Sequence, residues 1–133
     1  MSNPTNTASA PLRVLVVDAD DRIRESLARL LTIGGRCVVV ATAGQPEGAL
    51  ELAESIAPDV AVVDSRLHEV GADRAFLERL RAVTPDVRIV VMNWSDSAGS
   101  QVGLPGADVY IRKTFRPHEL IDAVVNAAGR TVS

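Results

Sequence analysis

The chain has 133 residues, 47% of them hydrophobic, with a formal net charge of -3. That is the size of one domain with a real core, and it carries no basic footprint for nucleic acid. A single cysteine, Cys37, excludes an internal disulfide framework, fits a reducing cytosol, and reads as a small buried hydrophobe.

Residues 1–11 (MSNPTNTASAP) are small and polar, with neither a basic start nor an apolar stretch. They read as a disordered tail rather than a signal peptide or membrane anchor. No later run approaches the about 20 apolar residues of a membrane span. The first apolar run, 13–17 (RVLVV), is rich in branched aliphatics and reads as a strand buried on both faces. Ile23, Leu27, Leu30 and Leu31 then recur at helical spacing, with Asp20 or Asp21 as the N-cap and Gly34-Gly35 as the stop.

A second strand is expected over 37–41. A helix opening at Pro46 turns Ala49, Leu50, Ala53 and Ile56 inward until Ala57-Pro58. The third strand is 60–63, followed by a helix over 72–83 with Phe76, Leu77, Leu80 and Val83 on one face. The fourth strand is 88–92. Residues 95–106 (SDSAGSQVGLPG) hold three glycines and one proline, so the fourth helix is expected to be degenerate. A fifth strand, 109–112, leads to a last helix opening at Pro117 and carrying Leu120, Ile121, Val124 and Val125.

Alternating strands and helices, with strands that are continuously apolar, specify an α/β fold: one doubly wound parallel sheet with helices on both faces. Ligands of such sheets bind outside the carboxyl ends of the strands. There the sequence places Asp18, with Asp20 and Asp21 close behind, then Asp64, Asn93 and Lys113. Lys113 is the one lysine beside thirteen arginines, a compact ammonium suited to a phosphate or carboxylate. Each residue alone has an ordinary explanation: a helix cap, a turn, a surface lysine. Two carboxylates on adjacent central strands repel, however, and ask for a cation, supplied by Lys113 and by a hard metal such as Mg²⁺. There is no GxGxxG or GxxxxGK[ST] cradle, and His68 and His118 lack zinc-site spacing.

The stretches VLVVDADDRIRESL, PDVAVVD, RIVVM and GADVYIRKTFRPHEL together resemble the receiver domain of two-component response regulators, over residues 12–129, with short tails at 1–11 and 130–133. The resemblance implies a flavodoxin-like sheet of order 2-1-3-4-5. By position, Asp64 resembles the phosphoacceptor, and Lys113 the lysine that pairs with it and with the phosphoryl group. Asn93 stands at the phosphoryl-contacting switch position and Tyr110 at the aromatic switch position. Asp18, Asp64 and the backbone carbonyl of Arg66 stand at the metal positions, with Asp20 a further candidate. Implied partners are Mg²⁺, a histidine kinase or phosphotransfer protein, a downstream output domain or protein, and a second copy of the chain. No nucleic acid or membrane is implied for this domain, and the location implied is cytoplasmic.

This sequence departs from that pattern at several places. Ala19 replaces the second acid, Asn93 replaces a Thr or Ser, and Trp94 replaces a small residue. Thr114 replaces a proline after the lysine, which argues against a cis bond there, and His68 replaces another proline. Two functions follow: a receiver phosphorylated on Asp64 with weakened Mg²⁺ assistance, or a phosphorylation-independent pseudo-receiver acting through protein contacts. A third, an enzyme or small-ligand binder on the same scaffold, would need a deep apolar pocket at the strand ends.

Overall fold

The computed structural model describes residues 10–65, 74–93 and 107–129. Its strands are β1 (Leu12–Val17), β2 (Cys37–Ala43), β3 (Val60–Asp64), β4 (Arg88–Asn93) and β5 (Val109–Arg112). The described helices, numbered in chain order, are α1 (Asp21–Leu31), α2 (Pro46–Ile56), α3 (Arg74–Val83) and α4 (Pro117–Ala127). Every ladder is parallel and the sheet order is β2-β1-β3-β4-β5, the doubly wound order implied by the sequence. The expected degenerate helix over 95–106 lies outside the described residues, as do Trp94, His68 and Arg66. Among the described residues, no helix is long and apolar enough to cross a membrane.

Strand side chains alternate between the two faces of a sheet, and this period of two sorts the core. Val14, Val16, Val60, Val62, Val90 and Met92 pack with Leu27 and Leu31 of α1 and with Leu120, Ile121 and Val124 of α4. Leu15, Val17, Ala61, Val63, Ile89 and Val91 pack on the other face, against Ala49, Leu50 and Ala53 of α2 and Phe76, Leu77 and Leu80 of α3. Cys37 is buried and in no disulfide, as a small hydrophobe should be.

Several boundaries and burials differ from expectation. β3 and β4 run on to include Asp64 and Asn93, because parallel ladder pairing continues through both residues. Helix α1 stops at Leu31, and a short 3₁₀ turn, Ile33–Gly35, uses glycines at positive φ (Gly34 85°, Gly35 77°) to turn the chain into β2. Val83, expected inward, is exposed. The chain turns there, and Thr84 takes the buried place, its hydroxyl donating to the Ala53 carbonyl at 3.2 Å. β2 is an edge strand, so its apolar run is only partly covered.

Two aspartates fasten the amino ends of the strands. Asp59 accepts from the Arg13 amide at 2.9 Å, and Asp108 from the Ile89 amide at 2.8 Å. Asp108 also pairs with Arg81 at 3.0 Å and Arg88 at 3.5 Å. Burial alone would raise the Asp108 carboxyl, but the Ile89 amide and the two guanidinium groups outweigh it and hold the group below its ordinary 3.8. A depressed folded-state value stabilises the fold above the unfolded value and loses that contribution as pH falls through the folded one. Asp108→Asn should therefore melt at lower temperature than the parent at neutral pH, with the two converging below pH 3.8. Melting curves that differ equally at both ends of that range would show that the charge is not what matters.

Candidate functional site

Carried to the carboxyl ends of the strands, the same alternation puts Asp18, Asp64 and Lys113 on the α1/α4 side of the sheet. It puts Asn93 on the other side, where Tyr110 packs against the α2/α3 cluster. The structure brings the first three together. Lys113 Nζ lies 2.8 Å from Asp18 Oδ2 and 3.0 Å from Asp64 Oδ1. The three side chains are 1%, 2% and 8% exposed, so one buried ammonium bridges two buried carboxylates.

The two contacts are not equivalent. The one to Asp18 is a well-formed hydrogen bond, whereas Asp64 Oδ1 meets the ammonium as a charge contact and, among the described residues, accepts no hydrogen bond of good geometry. The sequence makes Lys113 a counter-ion for both carboxylates and the pair of Asp64; the structure adds a directional bond to Asp18. The triad keeps a formal surplus of one negative charge, a local demand for a further cation.

Asp20, a further metal candidate by sequence, is occupied otherwise. Its Oδ1 caps α1, accepting from the amides of Arg22 and Ile23 at 2.9 and 3.1 Å, while its own amide donates to Asp18 Oδ1 at 2.9 Å. Asn93 is buried at the end of β4, and its carbonyl accepts from the Lys113 amide at 2.6 Å, tying the lysine's backbone to the rim. Tyr110 is half-buried on β5. No cis peptide bond occurs among the described residues, consistent with Thr114 after Lys113; the Thr114 hydroxyl accepts from the Arg116 amide at 3.1 Å and lies 3.2 Å from Glu119 Oε1.

Among the described residues no cluster of three or more acidic, histidine or cysteine side chains could hold a metal ion. Two buried carboxylates at adjacent strand ends remain, and Mg²⁺ commonly uses one or two carboxylates with water and phosphate oxygens completing its shell. The donor set thus falls within what an Mg²⁺ site uses. Arg24, to which the sequence assigned no role, donates to the Asp18 carbonyl at 2.8 Å. Its place six residues after Asp18 was the only signal, and local periodicity does not distinguish it from its neighbours.

Residues 14–125 match the family model of the response regulator receiver domain. The chain belongs to that family. The receiver is 38% identical over 113 residues to the response regulator MprA of Mycolicibacterium vanbaalenii, an overlap of 84% of this chain and 48% of that protein. It is 30% identical over 121 residues to the nitrate/nitrite response regulator NarL of Escherichia coli, covering 90% of this chain and 56% of that protein. The receiver thus spans about half the length of these relatives. The signal receiver domain of a NarL response regulator from Mycobacterium tuberculosis superposes with a TM-score of 0.77 at 27% identity, over 91% of this chain and 98% of that one. A CheY-like receiver from Methanospirillum hungatei, at TM-score 0.72 and 24% identity, shares the fold over 90% of this chain and 94% of that one. The receiver is a signalling module of two-component systems, a family whose members work with histidine kinases and output domains.

Proposed function

We propose that this receiver accepts a phosphoryl group on Asp64 from a histidine kinase or phosphotransfer protein, with weakened Mg²⁺ assistance. The observation that carries the reading is the buried Lys113 ammonium held between Asp18 and Asp64. In the transfer, an Asp64 carboxylate oxygen attacks phosphorus and forms an O–P bond. The P–N bond of the donor phosphohistidine breaks, and its electron pair returns to the imidazole. Lys113 offsets charge on the equatorial oxygens, and the buried site excludes bulk water from the group formed. Asn93 contacts the phosphoryl group through its amide at the strand ends, and Tyr110, on the Asn93 side of the sheet, responds to it.

Mg²⁺, when bound, would be held by Asp18, Asp64 and the carbonyl of Arg66, and would neutralise charge on the phosphoryl oxygens. Weakened assistance follows from Ala19, which supplies no carboxylate, and from Asp20, whose Oδ1 is committed to the α1 cap. The phosphorylated form signals to an output domain or protein, or to a second copy of the chain. Localisation is cytoplasmic. Ala19 and Asn93 also favour a second reading, a pseudo-receiver that signals through protein contacts without phosphorylation.

Incubation with acetyl phosphate and millimolar Mg²⁺ separates the two. The first reading expects an intact-mass adduct of one phosphoryl group that disappears in Asp64→Asn. No adduct in the parent would leave the second reading, and an adduct that survives Asp64→Asn would mean that the acceptor lies elsewhere.

A further inference from the structure

The loop that carries Asp18 is braced from outside the site, and the brace is made by residues to which no role has been assigned. Arg24, one turn into α1, reaches back so that its Nη1 donates to the Asp18 carbonyl at 2.8 Å and its Nη2 to Asp21 Oδ1 at 2.6 Å. Its side chain is 18% exposed, which a solvated helix arginine would not be. A planar guanidinium can span two acceptors in fixed geometry, whereas lysine offers one point charge.

The guanidinium passes directly over Gly44, just after β2. A Cβ built at Gly44 would lie 2.8 Å from Arg24 Nη1, so only glycine leaves the channel open. Ala43, next to it, anchors the same loop through its carbonyl, which accepts from the Asp18 amide at 3.0 Å. Asp18 is thus gripped at its amide by β2, at its carbonyl by Arg24, and at Oδ1 by the Asp20 amide. Only Oδ2 is turned to Lys113.

We propose that Arg24, with the space left by Gly44, is a positioning residue that fixes the Asp18 carboxylate for the phosphoacceptor chemistry. The inference rests on the reading of Asp64 as phosphoacceptor. Ala19 makes the brace matter: the loop brings one acid into the site, so a displaced Asp18 has no neighbour to stand in for it. Arg24 does not touch the reacting atoms. It acts by holding the turn whose shape sets where Asp18 sits.

The test uses Arg24→Met, Arg24→Lys and Gly44→Ala in the full chain. Gly44→Ala keeps the arginine but fills its channel, and because the clash is with the end of a flexible side chain, the guanidinium gives way rather than the backbone. Arg24→Met and Gly44→Ala should each lower hydrogen-exchange protection of the Asp20 amide about tenfold. They should also slow acetyl-phosphate labelling about tenfold at subsaturating Mg²⁺ and raise the half-saturating Mg²⁺ concentration. Arg24→Lys should fall between these variants and the parent.

Unchanged Asp20 protection in both variants would overturn the brace. Labelling that falls only in step with the folded fraction, at unchanged half-saturating Mg²⁺, would overturn its role in positioning. A parent that takes no label while Asp20 protection falls as expected would overturn the phosphoacceptor reading and support the brace.

Discussion

Lys113→Met should destabilise the fold by about 3–5 kcal/mol, the range found when one partner of a buried ion pair is removed and its counter-charge is left behind. Here the loss strands two carboxylates, Asp18 and Asp64, both buried and both in contact with the same ammonium. Methionine keeps most of the aliphatic stem, so the loss reports charge rather than a cavity. Asp64→Asn should move the other way. It leaves Asp18 and Lys113 as a neutral, well-bonded pair and removes the surplus charge, so stability should hold or rise. In the double variant the Asn should recover part of the Lys113→Met loss, a coupling expected between residues in direct contact. Urea unfolding of the four proteins measures all of this. A Lys113→Met loss below about 1 kcal/mol, the worth of an exposed pair, would mean that the ammonium is not the counter-ion of the site.

How the ammonium divides itself between the two carboxylates was beyond the reach of the sequence for a physical reason. Asp18 and Lys113 lie 95 residues apart, and their contact exists only because β1 and β5 flank β3 and β4 in one parallel sheet. The runs of β1, β3 and β4 were legible because burial on both faces demands unbroken apolar residues, and the edge strands β2 and β5 are apolar runs as well though only partly covered. Helix α2 was legible at both ends and α4 at its start, since Pro46, Pro117 and the Ala57-Pro58 stop act locally. Asp64, Asn93 and Lys113 could be placed at one rim from strand order alone.

What stayed hidden depends on third parties. Val83 looks like an inward helix residue until the turn at Thr84 is known, and Arg24 looks like solvent-facing charge until Gly44 opens a channel beside it. Asp59 and Asp108 occur in two similar contexts, PDV and ADV, and each turns out to clamp the amide of a neighbouring strand. The shared Asp-Val gave no hint that the clamps were tertiary.

Ala19→Asp should give the largest gain in Mg²⁺ response of any single substitution in the site. Position 19 is exposed, so a carboxylate there is hydrated and its desolvation cost is small. Without Mg²⁺ it adds a third negative charge beside Asp18 and Asp64, and the variant should be slightly less stable than the parent. With Mg²⁺ the sign reverses. A ligand that binds only the folded state stabilises it by RT ln(1 + [L]/Kd), so each tenfold tightening adds about 1.4 kcal/mol once Mg²⁺ is well above Kd.

Restoring a carboxylate to a site with two should tighten Mg²⁺ by at least about tenfold, because affinity for hard cations rises with the number of charged oxygen ligands. Thermal melts across a Mg²⁺ titration read both effects. The parent should rise little through millimolar Mg²⁺, whereas Ala19→Asp should start lower, cross the parent and end above it. Acetyl-phosphate labelling at low Mg²⁺ should accelerate in the same variant. A parent that is already strongly stabilised at submillimolar Mg²⁺ would show that Asp18 and Asp64 suffice. Parallel titration curves for the two proteins would show that the missing acid is not what limits the site.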